Sequence, residues 1–347
     1  MQHIQGISRN QLQVSSLEDT IAADNPVRFI DAFVNSIDLE KIGFTLKLLK
    51  TEGRPSFATP VFLKIYLYGY LNGIRSSRRL EKECLRNIEL QWLLEDIRPN
   101  YHSISDFRKD NPKGLKNSFK LFVSFLKDAN LIGGKNIAID GTKSRAHNSK
   151  KANFNQKKID KHKQYIEEKA NEYLSQLEEN DVKENSVSVK NIQEKIERLK
   201  KNKIRYDLLE EQLIASGEPQ ISTTDPDARA LLVQGQVVEI SYNMQAAVDD
   251  KHNLVVATHT INRNDRNALS AIAIEVKENL EIQTYTALVD KGYHNGREIE
   301  TCKIQNITTI VANQEQGKSN ANGTQPDYFV SKFTYNKEDN TYTCPQG

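Results

Sequence analysis

The chain has 347 residues, 37% of them apolar and 27% charged, with a net charge of only +2. That is enough for two or three domains with buried cores, and it excludes a polycation, so any surface for nucleic acid must arise from local segregation of charge. No window approaches the ~20 consecutive apolar residues of a membrane span, and the start MQHIQGISRNQ has no apolar signal core.

Three sparse cysteines, Cys84, Cys302 and Cys344, point to a reducing compartment rather than a disulfide scaffold. A soluble cytoplasmic protein without a membrane partner is therefore expected.

Residues 59–131 read as short helices. In TPVFLKIYLYGYLNG, Thr59 is placed to cap, Pro60 suits the first turn and Asn72-Gly73 ends the run. Ser76 or Ser77 opens the next helix, and Asn87 opens NIELQWLLED. Ser103 and Asp106 have the spacing of a capping box. A longer amphipathic helix follows, with Leu115, Phe119, Phe122, Val123 and Leu126 on one face, and Gly133-Gly134 terminates it. Trp92 and Tyr101 read as core residues, with DNA contact as the alternative.

Residues 142–216 contain neither Gly nor Pro. Ile159, Ile166, Ala170, Tyr173 and Leu177 fall near heptad spacing, as do Ile192, Ile196, Leu199, Tyr206 and Leu213. The polar break NDVKENSVS separates the two sets. An antiparallel helical hairpin is predicted.

Beyond it the period changes to two. QVVEISYNMQAAVD and NLVVATHTI predict strands joined at DDKH. A helix follows Asn264-Asp265, then a strand at YTALVD, a helix at GREIETCKI and a strand at TTIVA. With NIAID (136–140) this predicts a mixed sheet with helices on its faces.

Two of these strands are expected to end on aspartate, at Asp140 in NIAIDGT and Asp290 in TALVDKGYHN. As neighbours they would bring two carboxylates to one edge. Such a pair is costly unless cations meet it. Mg²⁺ with oxygen ligands and substrate phosphates is the usual solution, and two ions ~3.5–4 Å apart can clamp a phosphodiester. The plainer reading is that both aspartates terminate strands and cap turns.

From Lys143 to Lys163 there are eight Lys/Arg and one acid, Asp160. This basic flank fits a phosphate backbone, or a solvated helix face. A phosphatase of the haloacid dehalogenase type also carries DGT, but the position of its nucleophilic aspartate is here Ala138.

Several stretches, in order along the chain, resemble the DDE transposases of bacterial insertion sequences. LYGYLNGIRSSRRLEKECLRNIELQWLLEDIRPNYHSISDFRKDN (67–111) is similar to their helical N-terminal domain. IAIDGTK and ALVDKGYHN are similar to their first and second acid motifs. TTDPDARA, YNMQAAVDDKHNLVV and the Asn-Asp of INRNDRNAL are similar to their middle block.

The resemblance implies an α+β fold: a helical N-terminal DNA-binding domain (1–132), then a ribonuclease H-like catalytic domain (133–347) with a helical-hairpin insertion (150–216) and an incomplete C-terminal end. It implies a DNA transposase that hydrolyses and transfers strands at transposon ends, working as a homo-oligomer on DNA with Mg²⁺ or Mn²⁺. Asp140 and Asp290 become metal-binding catalytic acids. Lys143, Arg145, Lys150, Lys151 and Lys291 become DNA contacts. The family's third acid, a glutamate in a basic helix, has no counterpart here: Glu298 and Glu300 read as surface positions. A catalytically inactive fragment that only binds DNA is therefore the alternative. Asp265 reads as an N-cap, with a site contact as the alternative the resemblance offers. Asp225 and Asp227 read as an Asx turn or as neighbours of the site.

Overall fold

The computed structural model describes residues 6–12, 14–45, 56–147, 150–181, 186–233, 237–312, 328 and 332–346. The chain divides into two compact units, Met1–Phe125 and Leu126–Gly347.

The first unit is helical: α1 (Pro26–Ser36), α2 (Thr59–Leu71), α3 (Ser77–Arg86), α4 (Ile88–Leu93), α5 (Tyr101–Asp110) and most of α6 (Pro112–Asp128). Leu63, Ile65, Leu80, Leu90, Leu93 and Ile104 form its fully buried centre. Asn25 caps α1 by accepting from the Val27 N–H at 3.0 Å; the sequence reading began at residue 59 and missed this helix.

The caps follow side-chain chemistry. Asn87 Oδ1 accepts from Glu89 N at 2.9 Å and opens α4 as expected. At α5 the cap is Asn100, accepting from Ser103 N at 2.9 Å, not Ser103. Thr59 does not cap α2 either; Ala58 holds the N-cap position without a side-chain bond. Trp92 is partly buried against the core, and its Nε1–H donates to Glu18 at 2.7 Å.

The second unit is a mixed sheet with one long insertion. β1 (Asn136–Arg145) leads through the short β2 (Asn153–Phe154) into α7 (Gln156–Asp181) and α8 (Ser186–Ser216). The helices run antiparallel: Lys163 pairs with Asp207 and Glu210, while Lys203 pairs with Glu167. Of the break expected between them, residues 182–185 lie outside the described residues. β3 (Ile221–Ser222) pairs with β2 and closes the base of the insertion, a ladder the periodicity did not suggest.

The chain then forms β4 (Arg229–Val233), β5 (Val237–Asp249), β6 (Val255–Ile261), α9 (Leu269–Leu280), β7 (Tyr285–Val289), α10 (Gly296–Ile304) and β8 (Ile307–Val311). A small hairpin, β9 (Thr334–Asn336) with β10 (Thr341–Thr343), stands apart from the main sheet. The sheet order is β4-β5-β1-β7-β8, with β6 also on β5. The mixed α+β architecture predicted from the change of period is present. β4 was not predicted as a strand.

One expectation is corrected. β1 does not stop at Asp140. Its parallel partner β7 pairs only through Ile139↔Val289. Its antiparallel partner β5 continues to hydrogen-bond from Ile137↔Asp249 to Arg145↔Ser241. The long β5 therefore carries β1 past the acid.

α9 and α10 pack on one face of the sheet, where Ile137, Ile139, Ala247, Ala287 and Ile307 are buried. The opposite parity leaves Leu288 and Ile310 exposed. No described helix is long and apolar enough to cross a membrane.

Leu80 is fully buried at the centre of the helical unit. Leu80→Ala should cost about 2–5 kcal/mol of that unit's stability, as truncation of a close-packed leucine does. Urea denaturation followed by far-UV circular dichroism measures it.

Candidate active site

Asp140 and Asp290 lie one residue beyond the last pair of the parallel β1–β7 ladder. Partners in a parallel ladder share a face, and successive residues alternate. Both aspartates therefore fall on the parity of the pair Ala138↔Leu288, and both are exposed. The two sequence-predicted acids sit at the same level of adjacent strands.

Each is held locally. Asp140 Oδ1 accepts from Gly141 N at 2.7 Å. Asp290 caps the tight turn at 291–293 by accepting from Gly292 N at 2.8 Å. A Cβ on Gly292 would come within 3.0 Å of the Asp290 carboxylate, so glycine there leaves that carboxylate room.

The other parity carries a network. Asp265 Oδ1 accepts from Asn243 Nδ2 at 2.8 Å and from Gln245 Nε2 at 3.0 Å. Its Oδ2 takes the Lys143 ammonium at 3.2 Å. Tyr293, fully buried, donates its hydroxyl to Gln245 Oε1. Asn243 Nδ2 also donates to the Arg263 carbonyl, while its Oδ1 is buried without a hydrogen-bond partner among the described residues.

Burial pushes the Asp265 carboxyl up, but bonds from Asn243, Gln245 and Lys143 outweigh it and hold the group below its ordinary value. Burial, reinforced by the charges of Asp265, Asp140 and Asp290, raises the Tyr293 phenol well above its ordinary range. That hydroxyl is therefore a permanent donor near neutral pH.

Gly141 lies against this network. A Cβ there would sit 2.4 Å from Asp265 Oδ1, 2.4 Å from Gln245 Nε2 and 2.8 Å from Asn243 Oδ1. The glycine after Asp140 is thus required by close approach.

Of the lysines and arginine assigned to DNA, four are exposed. Arg145 is 72% exposed and 3.8 Å from Glu239. Lys150 and Lys151 lie on the turn at 150–152, and Lys291 on the turn after Asp290. Lys143 differs: its side chain is only 20% exposed, turned to Asp265. Asp265 does not act as a cap, because no side-chain bond caps the turn at 265–267. Asp225 accepts the Tyr242 hydroxyl at 2.6 Å. Glu298 accepts from Ser270 N at 2.9 Å, at the start of α9.

The sequence reading missed Asn243, Gln245 and Tyr293. A signal was available. In β5 the polar Asn243 and Gln245 share parity with Ala247 and Asp249, which is the buried face.

A second basic feature lies in the helical unit. α3 presents Arg79, Lys82 and Arg86 at spacings of three and four residues, all exposed. Its acids turn inward: Glu81 accepts from Tyr101 N at 3.2 Å, and Glu83 is buried against Arg86 and Asn87. An apolar cavity of about 570 Å³ in the same unit is lined by Phe29, Phe33, Leu63, Tyr70 and Phe122 among others. Its lining holds no Asp, Glu, Lys, Arg or His.

Residues 15–110 match the family described as a transposase domain (DUF772). The match covers α1 to α5 and supports a transposase role in general. Comparison with curated proteins and with solved structures gives no match.

Two outcomes are expected. Gly141→Ala should destabilise the second unit by about 1–3 kcal/mol, the usual penalty for overpacking, measured by urea denaturation. Asp265 titrates lower when folded than its ordinary 3.8, so the stability it contributes is complete above that value and is lost as pH falls through the folded one. The stability gap between the parent and Asp265→Asn should therefore be constant from pH 7 to 5 and narrow below pH 4. Denaturation at each pH measures the gap.

Proposed function

We propose that the chain is a DNA transposase of the DDE kind, with a ribonuclease H-like second unit whose Asp140 and Asp290 perform metal-dependent phosphodiester chemistry at transposon ends. The observation that carries this reading is the level placement of the two exposed carboxylates on adjacent parallel strands, one residue past their ladder. The transposase-domain match at residues 15–110 supports it.

The donor set suits a hard divalent cation. Both groups are exposed carboxylates, and Mg²⁺ often uses one or two of these, with water and phosphate oxygens completing the shell. Among the described residues no group of three His, Cys, Asp or Glu side chains could hold a metal ion, so among those residues the proposed share of the shell is these two. Asp265 is committed to Lys143, Asn243 and Gln245. Mg²⁺ or Mn²⁺, when bound, would polarise the scissile phosphate and lower the pKa of an attacking water.

The remaining residues bind and orient. Arg145, Lys150, Lys151 and Lys291 offer exposed positive charge to a phosphate backbone on the unit that carries the acids. Arg79 and Lys82 offer exposed positive charge on a helix face of the unit that matches the transposase domain, beside Arg86, which is paired with Glu83. Action as a homo-oligomer on DNA belongs to the same proposal. The rival, a DNA-binding protein without catalysis, differs in one observable: metal-dependent strand cleavage.

A labelled duplex carrying a transposon end tests the reading. Slow nicking that requires Mg²⁺ or Mn²⁺ is expected from the parent, and none from Asp140→Ala or Asp290→Ala. Nicking that persists in either variant would remove these acids from the site. Affinity should fall steeply with salt. Arg79→Ala with Lys82→Ala should lower the slope of log affinity against log salt by about 2, since each phosphate contact contributes ~0.9. Lys150→Ala with Lys151→Ala should act alike, and an unchanged slope would mark either pair as solvated surface.

A further inference from the structure

The parallel ladder ends at Ile139↔Val289. Past it the two acid-bearing segments separate in kind. β1 continues along β5, while the chain after Asp290 leaves the sheet as the turn at 291–293. No β1–β7 backbone pair fixes the distance between the acids beyond that point.

A side-chain connection does cross there. Tyr293, on the turn after Asp290, donates to Gln245 of β5. Gln245 donates to Asp265 at 3.0 Å, and Asp265 takes Lys143 of β1 at 3.2 Å. Gln245 is also the register partner of Gly141, the residue after Asp140. Tyr293, Gln245 and Asn243 are all at most 1% exposed, so water does not compete for these bonds. Every neutral member has few alternatives, because a buried polar group left without its partner is penalised.

We propose that Tyr293 and Asp265 are positioning residues for the acid pair: the relay Tyr293–Gln245–Asp265–Lys143 sets the separation of Asp140 and Asp290 where the backbone ladder no longer does. The inference rests on the reading of those acids as ligands of a divalent metal. It adds residues outside the ligand set. Tyr293 acts through its hydroxyl alone, and Asp265 acts through its charge and its second oxygen.

The test uses the full chain and Mn²⁺ as the probe, with Tyr293→Phe, which removes one oxygen and keeps the ring. Asp265→Asn is the second variant and Asp140→Asn the control. Mn²⁺ affinity is read by electron paramagnetic resonance well below the melting temperature, and DNA affinity is read separately. Tyr293→Phe is expected to weaken Mn²⁺ binding about 10- to 100-fold, as loss of a ligand-orienting partner typically does, with DNA affinity unchanged. Unchanged Mn²⁺ affinity in both variants would overturn the proposal.

Hydrogen exchange separates this from failure of the metal reading. Tyr293→Phe should speed exchange together at residues 139–143 and 290–294, with or without Mn²⁺. If Asp140→Asn leaves Mn²⁺ binding untouched, the metal reading falls. Joint exchange would then still support the relay, and faster exchange confined to 290–294 would overturn it.

Discussion

The half-buried charge of Asp265 constrains the second unit more than any other single group. A carboxylate removed from water needs donors on both oxygens. Asn243 and Gln245 serve one oxygen and Lys143 the other. That requirement places two amides on the buried face of β5, where apolar residues would otherwise pack. It turns Lys143 toward the protein rather than toward a substrate. It also brings three polar atoms so close to β1 that only glycine fits at position 141. The Asp-Gly pair of the first acid motif thus has two separate causes: the aspartate faces out on one parity, and the glycine yields space on the other.

β5 makes this arrangement possible. It pairs with β1 from Ser241 to Asp249 and with β4 and β6 on its other edge. An antiparallel partner this long keeps β1 extended past the point where β7 departs. Asp140 is therefore set in continuous strand, and Asp290 begins a tight turn. The two acids reach one level by different local structures. The strand acid is fixed by a ladder on one side; the turn acid accepts from Gly292 N, and its turn is tied to β5 by the Tyr293 hydroxyl.

Much of the fold was legible because period and breakers agree. The two-residue alternation of β5 and β6, the apolar face of α9 and the Gly/Pro-free stretch of α7 and α8 each have one dominant reading. Caps were less legible. Asn100, Ser103 and Thr59 all offer a side-chain oxygen, and tertiary geometry selects among them. β4 was hidden because its five residues follow the Asp-Pro turn that drew the reading to loop chemistry. Of the candidate site, the two acids could be read from their apolar runs. The network behind them could not be assembled, because residues 143, 245, 265 and 293 meet only through sheet order. The parity of Asn243 and Gln245 was the one local sign, and a polar residue on a buried strand face asks for a partner elsewhere in the chain.

Lys143 shows why a count of basic residues does not define a nucleic-acid surface. It heads a run of eight Lys/Arg with a single acid, yet its ammonium is paired with Asp265 and four-fifths covered. Releasing it to a phosphate would take from the Asp265 carboxylate the cation paired with it, a loss that grows with burial. Arg145, two residues on and of the same parity, lies beyond the network and remains largely solvated, so its charge is available at little cost. In α3 the sorting runs the other way round. Glu81 is drawn inward by Tyr101, Glu83 is paired with Arg86, and Arg79 and Lys82 are left on the outside. A nearly neutral chain thereby acquires a positive helix face without an excess of positive charge overall. What matters for a phosphate backbone is which charges the fold has already satisfied.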